Sequence, residues 1–435
     1  MRNEITILQN LDHPNIVKAY EVYETSINIY LVLEHCSGGD LYTRVPYSEK
    51  DSAKIVGKLL SAISHMHRHN VTHRDLKFEN IMFESEEPDA EIKLIDFGLS
   101  KKVEGGKKYM TEGVGTIYTM APQVLRGVYT SQADLWSIGV ISYMLLSNTK
   151  PFYGKKRRHV VSKILKGVYK FYSQSWENIS DEAKSFVVEL LQVDPKLRLN
   201  ADQALEHAWQ SKEFPLSDRT PDQAIMDSVH DTIVNYGAVS EFKKMALMVI
   251  AHKSTTDEIF GLRQVFDAFD TTNNGTISLD EFKAAMEKSE VEYSEEDIER
   301  IFQSIDVGAE GEIYYLEFLA ATLEAHGRIT EERLAEAFDR IDSDDSGIIS
   351  KKNLRDLLGG NYSEKKIRNM LNEVDTNNDG GINFDEFLKI FRAEQVKDEK
   401  LMRPRSYQGS FGSSDNWSVE LSHSDDSSVP FENGH

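Results

Sequence analysis

Apolar residues recur at helical spacing through the second half of this chain, and that pattern itself repeats. From about residue 256 to 393, an apolar-periodic helix leads into a polar loop that starts with Asp and holds a central Gly, and the loop leads into another helix. The loops start at Asp270, Asp306, Asp342 and Asp375, spaced 36, 36 and 33 residues apart, which marks repeated supersecondary units. Before them, residues 224–253 read as one helix carrying Val239, Phe242, Ala246 and Val249 on a stripe, with Lys243 and Lys244 off it. The polar stretch 211–223, broken by Pro215 and Pro221, reads as a linker. Residues 394–435 are rich in Ser, Asp and Asn and poor in aliphatics, and are expected to be disordered. No apolar run approaches the ~20 residues needed to span a bilayer.

Charge changes this picture once it is located. The chain has 435 residues, which suits two or three domains, and a net charge of −22. Residues 1–210 hold 26 Lys+Arg and 26 Asp+Glu, whereas residues 211–435 hold 24 and 46. The imbalance therefore lies entirely in the half with the repeated loops. It argues against nucleic acid as a partner and suits a polypeptide that gathers hard cations. A single cysteine, Cys36, excludes an internal disulfide and favours a reducing compartment, the cytoplasm or nucleus. The start carries neither a secretory signal nor a Met-Gly myristoylation site; membrane association of a longer parent chain stays open.

The loops have the spacing of a helix–loop–helix Ca²⁺ site: oxygens at positions 1, 3, 5, 7 (a backbone carbonyl), 9 and 12, with Gly at 6. Loop one (270–281) offers Asp270, Thr272, Asn274, Thr276, Ser278 and Glu281, with Thr272 a weak ligand. Loop four (375–386) offers Asp375, Asn377, Asp379, Gly381, Asn383 and Glu386 and fits best. Loop two (306–317) keeps Asp306 and Glu317, but Gly308 at position 3 has no side-chain oxygen, Glu310 is long for position 5 and Tyr314 stands at position 9. Loop three (342–353) offers Asp342, Asp344, Ser346, Ile348 and Ser350 but ends in Asn353. Ca²⁺ is expected at loops one and four, weak or absent at loop two, and weaker at loop three, where Mg²⁺ competes. A retained scaffold without ions is the alternative for any one loop, and a poor one for four in register. Each loop has Ile at position 8 (Ile277, Ile313, Ile349, Ile382), suited to a short strand pairing that joins two loops.

The first half holds a different chemistry. Val71-Thr72-His73-Arg74-Asp75-Leu76-Lys77-Phe78-Glu79-Asn80 matches the protein-kinase catalytic loop H-R-D-L-x-x-x-N. Asp96-Phe97-Gly98 follows the strand-like Ile92–Ile95, and Ala121-Pro122-Gln123 stands where A-P-E is expected. Phosphoryl transfer needs in-line positioning and neutralised phosphate charge. In that pattern Asp75 accepts the substrate hydroxyl proton, Lys77 reaches the transferring phosphate, and Asn80 and Asp96 are oxygen ligands for Mg²⁺. Lys at 77 is the Ser/Thr-kinase type.

These motifs together resemble the calcium-dependent protein kinases: a kinase domain (1–210), an autoregulatory junction helix (224–253) and a calmodulin-like domain with two EF-hand pairs (254–393). The expected fold class is multidomain α+β: a protein-kinase-like fold with a helical C-lobe, followed by an all-α EF-hand domain. Further matches are Asp134-Leu135-Trp136-Ser137-Ile138-Gly139, whose Asp134 braces the catalytic loop, and Arg198. The resemblance implies a Ca²⁺-activated Ser/Thr kinase that uses ATP and Mg²⁺, acts on protein substrates with basic residues upstream, and works as a monomer. It makes Leu33 the gatekeeper, gives Glu34 and Cys36 backbone contacts to adenine, puts Asp40 by the ribose and makes Glu4 the αC glutamate. Asp40 and Glu79 would receive an upstream Arg, or are solvated surface acids.

The resemblance also locates departures. The N-lobe is expected to be mostly missing, because the glycine-rich loop and the strand Lys that partners Glu4 in the family would lie before residue 1. Gln123 replaces the A-P-E Glu that pairs with Arg198, which is expected to lower stability by roughly 1–3 kcal/mol. Glu112 stands where related kinases carry a phosphorylated Thr, so pairing with Arg74 would make Ca²⁺ rather than phosphorylation the main switch. Thr111 is a rival phosphosite, and an idle exposed Glu112 the plainer alternative. Ca²⁺-loaded hands would capture the junction helix through Phe242 and Val249, unless 239–250 is merely a core helix. The competing functions are a non-catalytic Ca²⁺-responsive binding protein and a Ca²⁺ buffer; the second leaves Asp75, Asn80 and Asp96 unexplained.

Overall fold

The strands and helices of the first half are laid down around one almost wholly buried helix. In the computed structural model, which describes residues 2–103, 109–211, 223–288, 293–327, 329–358 and 362–392, the chain opens with α1 (Arg2–Leu8) and the hairpin β1 (Ala19–Glu24) and β2 (Ile29–Leu33). Then come α2 (Glu49–Arg68), β3 (Val71–Thr72), β4 (Ile81–Phe83), β5 (Ile92–Leu94), β6 (Lys101–Lys102) and α3 (Pro122–Leu125). The helices α4 (Gln132–Ser147), α5 (Arg157–Lys166), α6 (Ser173–Trp176), α7 (Asp181–Leu190) and α8 (Ala201–Leu205) complete this half. Residues 212–222 of the expected linker and the whole expected tail, 394–435, lie outside the described residues.

Helix α4 has no polar stripe, and Ala133 through Ser147 are all buried, as a helix hydrophobic all round must be. It packs between α2 and α7. Helix α2 is amphipathic: Ile55, Val56, Leu59, Leu60, Ile63 and Met66 face the core, and the Ser48 hydroxyl caps its first turn by accepting from Asp51 N at 3.0 Å. β3 pairs with β6 and β4 with β5, with Ile81 opposite Leu94 and Phe83 opposite Ile92. The catalytic-loop segment 73–80 is thereby slung between two short two-stranded sheets over α4.

The second half begins with α9 (Gln223–Tyr236) and α10 (Glu241–Lys253). The single helix expected over 224–253 is thus two. Gly237 follows α9, and Ser240 caps α10 by accepting from Lys243 N at 3.2 Å, so a helix-weak residue and a side chain that satisfies a free amide end one helix and start the next. The stripe also differs. Phe242 and Ala246 are buried as expected, but Val239 precedes α10 and is half-buried, as is Val249, while Met245, Leu247 and Ile250 are buried. Lys243 and Lys244 are buried too. Lys243 Nζ lies 3.1 Å from Glu324, and Lys244 Nζ donates to the Ser304 carbonyl at 3.1 Å and lies over the Tyr236 ring. The reason is that α10 is covered from several sides rather than one.

Those covering elements are the four loop units. The first two comprise α11 (Thr256–Phe269), β7 (Thr276–Ser278), α12 (Leu279–Met286), α13 (Glu295–Ile305), β8 (Glu312–Tyr314) and α14 (Tyr315–Thr322). The last two comprise α15 (Glu331–Ile341), β9 (Ile348–Ser350), α16 (Lys351–Leu358), α17 (Glu364–Val374), β10 (Gly381–Asn383) and α18 (Phe384–Arg392). β7 pairs with β8, Ile277 opposite Ile313, and β9 with β10, Ile349 opposite Ile382, all four fully buried. The position-8 isoleucines therefore join the loops two by two. Helix α10 lies against α14, α15 and α17, with Phe242 edge-on to Phe387 at 6.1 Å. Among the described residues, no helix is long and apolar enough to cross a membrane.

Candidate active site and cation-binding loops

Asp134, in the first turn of α4, fixes the catalytic loop from below. Its carboxylate accepts the backbone N–H groups of His73 and Arg74, both at 2.9 Å, and lies 2.9 Å from His67 Nε2. Burial pushes this carboxyl up, but the His67 and backbone donors outweigh it and hold the group below its ordinary range. Above it, Asp75 is buried. Lys77 Nζ lies 2.8 Å from Asp75 Oδ2, and the Thr116 hydroxyl donates to Oδ1 at 2.6 Å. Asn80 Nδ2 donates to the Asp75 carbonyl at 2.9 Å, which leaves the Asn80 side-chain oxygen as the end available to a cation. The exposed Asp96 sits at positive φ (63°) and accepts from Gly98 N at 3.2 Å, while Phe97 is buried edge-on to His73. Lys77 is held protonated above its usual range by the Asp75 hydrogen bond, with Asp96 adding to the same field. Glu4 Oε2 is 3.8 Å from where a Cβ on Gly98 would stand, so α1 reaches the Asp96 turn.

Thr116 is a residue that sequence reasoning missed as a site member. Its signal was Gly115. That glycine has φ of +109° and a Cβ there would stand 2.5 Å from the Arg74 carbonyl, so only Gly lets this turn back onto the catalytic loop.

The residues expected around a nucleotide base show divided duties. Glu34 turns its carboxylate inward: burial pushes its pKa up, but the Lys93 ammonium at 2.8 Å wins and keeps it ionised. Its backbone N–H donates to the Lys18 carbonyl at 2.9 Å, so its own carbonyl and the backbone of half-buried Cys36 are what remain for a ligand. Burial pushes the Cys36 thiol up to about 11, so it behaves as a small packed residue rather than a nucleophile. Leu33 ends β2, half-buried. Asp40 caps the 3₁₀ turn 41–44, accepting from Tyr42 N at 2.9 Å, and Glu79 accepts the Tyr118 hydroxyl at 2.7 Å.

In the segment after Gly98, Glu112 meets two cations: Lys101 and, at 3.2 Å, Arg74 Nη1. The Lys101 hydrogen bond does most to lower the Glu112 carboxyl, to about 2. Arg74 also donates to the Leu99 carbonyl at 2.6 Å and approaches the Tyr129 hydroxyl.

The four loops share one scaffold. In each, the first Asp accepts two backbone N–H groups from positions 5 and 6, as Asp270 does from Asn274 and Gly275 at 3.0 and 2.8 Å. In loops one and four the twelfth residue spans the loop: Glu281 accepts from Thr272 N and Ser278 N, and Glu386 from Thr376 N and Asn383 N. Burial lifts Asp270 to about 7, a strain that a divalent cation among these oxygens would reverse. In loop three, Asn353 turns donors inward: Nδ2 bonds Ser343 Oγ at 3.1 Å and Asp344 Oδ1 at 3.4 Å, so it engages a carboxylate that a cation would need. In loop two, burial lifts Glu317 to about 7, and the Glu310 carboxylate accepts the Tyr314 hydroxyl at 2.6 Å. Among the described residues, no three His, Cys, Asp or Glu side chains form a metal cluster; these loops draw their other oxygens from Asn, Ser, Thr and backbone.

Comparison with known proteins agrees with both halves of this geometry. The protein kinase domain profile matches residues 1–210, and the EF-hand domain pair profile matches residues 240–323 and 331–392. Calcium-dependent protein kinase 21 of Arabidopsis thaliana is 36% identical over 411 residues, 93% of this chain and 76% of that protein. Calcium-dependent protein kinase 12 of rice (Oryza sativa subsp. japonica) is 43% identical over 399 residues, 90% of this chain and 74% of its own length. Calcium-dependent protein kinase 5 of Plasmodium falciparum is 34% identical over 399 residues, 90% of this chain and 70% of its own length. The chain belongs to the calcium-dependent protein kinase family.

One departure in this calcium-dependent protein kinase now has a physical account. Arg198 is buried, and Gln123 Oε1 lies 3.3 Å from its Nη2. Two further carbonyls take up the charge: Gln192 at 2.7 and 3.2 Å, and Gln132. Burial still pulls the guanidinium down to about 9, because carbonyl dipoles replace the carboxylate only in part.

Proposed function

We propose that the chain transfers the γ-phosphoryl group of ATP to serine and threonine hydroxyls of other proteins, and that Ca²⁺ at loops one and four switches this activity on. Mg²⁺–ATP, when bound, supplies the transferable phosphoryl group and neutralises its charge. The chain's own residues do the rest. The Asp75 carboxylate accepts the proton of the substrate hydroxyl as the hydroxyl oxygen bonds to the γ-phosphorus and the bond to the ADP oxygen breaks. Lys77, beside Asp75, steadies the transferring phosphate. The side-chain oxygens of Asn80 and Asp96 hold the cation, and the backbone at Glu34 and Cys36 takes the adenine edge. The acids Asp40 and Glu79 favour Arg upstream of the modified residue. Glu112, already paired with Arg74 and Lys101, does the work of a phosphate on that segment, which leaves Ca²⁺ as the main switch.

Autoinhibition follows from the junction. In this arrangement α10 is enclosed by the EF-hand helices, the state in which it cannot obstruct the kinase; without Ca²⁺ it would be released to do so. The observation that carries the reading is the Asp75 carboxylate held between the Lys77 ammonium and the Thr116 hydroxyl, the posture of a base with both a phosphate anchor and a substrate-side neighbour. The same intact set disfavours a purely non-catalytic binder. Purified chain given Mg²⁺–ATP and a Ser/Thr peptide with upstream Arg should incorporate phosphate in Ca²⁺ and not in chelator. Asp96→Asn should lower transfer at least ~100-fold and leave Ca²⁺ binding intact. Glu281→Gln with Glu386→Gln should remove Ca²⁺ activation; an unchanged Ca²⁺ response in that double variant would refute loops one and four as the sensing sites.

A further inference from the structure

Loop two keeps Asp306 and Glu317 at its ends but departs from the other three at positions 3, 5 and 9. Position 3 is Gly308, and the carboxylate at position 5, Glu310, is engaged by the phenol at position 9, Tyr314. The other loops carry Ser278, Ser350 and Asn383 at position 9. The Tyr314 ring is turned toward the kinase half instead. It lies edge-on to His65 at 5.9 Å and to His69 at 6.2 Å, residues one turn apart near the end of α2. Its neighbours make the same journey. Leu316 N donates to Asp12 Oδ2 at 2.6 Å, Lys18 lies over the Tyr315 ring, and Arg68 comes within 3.7 Å of Glu312. His65 is 3% exposed, its Nε2 has no hydrogen-bond partner, and its ring packs against those of His13, His69 and Tyr314.

We propose that the second EF-hand is a docking pin rather than an ion site: Tyr314 seats against His65 and His69 and ties the state of loop one to the catalytic loop. This rests on the Ca²⁺-activated kinase reading above. Each link is a direct contact. β7 of loop one pairs with β8, with Thr276 opposite Tyr314, and the Thr276 hydroxyl donates to Glu312 at 2.7 Å. Tyr314 bears on α2. From the same last turns of α2, His67 lies 2.9 Å from the Asp134 carboxylate, which holds the amides of His73 and Arg74. An ion that stiffens loop one therefore stiffens the strand pair, the pin and the helix that leads into Asp75. The hydroxyl keeps Glu310 away from the loop centre, and the ring makes the dock.

The test uses the full chain with Tyr314→Ala, Tyr314→Phe and Glu317→Gln. Three readouts are amide hydrogen exchange over residues 61–70, the number of Ca²⁺ bound by equilibrium dialysis, and phosphate transfer with and without Ca²⁺. Tyr314→Ala should speed exchange over 61–70 at least tenfold and reduce Ca²⁺ stimulation of transfer at least tenfold while the dialysis count stays at the parent value. Tyr314→Phe keeps the ring and should match the parent in exchange. Glu317→Gln should leave the Ca²⁺ count unchanged. Parent-like exchange in Tyr314→Ala, or loss of one bound Ca²⁺ in Glu317→Gln, overturns the proposal. If the parent shows no Ca²⁺-stimulated transfer, the kinase reading fails by itself, and the exchange and dialysis results still decide the pin.

Discussion

Arg198 carries a full charge 3% exposed, and its partners are all neutral. A carbonyl dipole recovers only part of what a carboxylate would, and the lowered Arg198 pKa reflects that shortfall. Gln123 is itself imperfectly served, with its Nε2 buried and without a hydrogen-bond partner. Gln123→Glu removes that unmet donor and adds a carboxylate facing the guanidinium. The variant should be more stable by about 1–3 kcal/mol, measured by denaturant unfolding at pH 7. The sign with pH follows from the new group. Arg198 depresses the folded-state pKa of the introduced Glu below its unfolded value, so the gain is present at neutral pH and disappears as pH falls below ~4. A gain that persists in acid would mean the carboxylate acts by shape rather than charge.

At the scale of elements, loop three is set apart from the other loops by one exchangeable feature, its twelfth residue. Asn353 supplies a single oxygen, which accepts from Ser350, and points its NH₂ at Asp344. Glu there would accept backbone amides as Glu281 and Glu386 do and leave Asp344 to a cation. Asn353→Glu should therefore raise Ca²⁺ affinity at loop three at least tenfold, read by isothermal titration as an added or tightened site. Unchanged titration would place the defect of loop three elsewhere. This level was also the most legible in the sequence. Loop positions and the Ile277–Ile313 and Ile349–Ile382 pairings follow from a fixed period, and segment 73–98 from local motifs with fixed spacing. The junction was read less well. A single stripe assumes one covered side, whereas α10 is enclosed by α14, α15 and α17, so Lys243 and Lys244 are buried with their own partners. The break at Gly237–Ser240 was written in residue types, a glycine and a capping serine, but the apolar period ran across it.

Across the whole molecule, the contacts that join the two halves had no sequence signal at all, because their members lie far apart in the chain. The most buried of them is Glu84 with Arg263. The guanidinium meets both carboxylate oxygens at 2.7 and 2.8 Å, each side chain is 4% exposed, and Arg263 Nε also donates to the Tyr315 hydroxyl at 3.2 Å. Lys58 with Asp267 at 2.6 Å and Lys253 with Glu21 at 2.5 Å are more open to water and contribute less. Burying two charges costs nearly what their attraction returns, so the pair adds little net stability over an apolar substitute; removing one member is another matter, since the other charge is left dry. Glu84→Gln should therefore lower the stability of the folded chain by about 3–5 kcal/mol, whereas Glu84→Leu combined with Arg263→Met should recover most of that loss. Thermal unfolding of the single and double variants measures the difference. If the double variant falls as far as the single, the two residues do not act as a pair, and the kinase and EF-hand halves are held together by their apolar contacts and the Tyr314 dock instead.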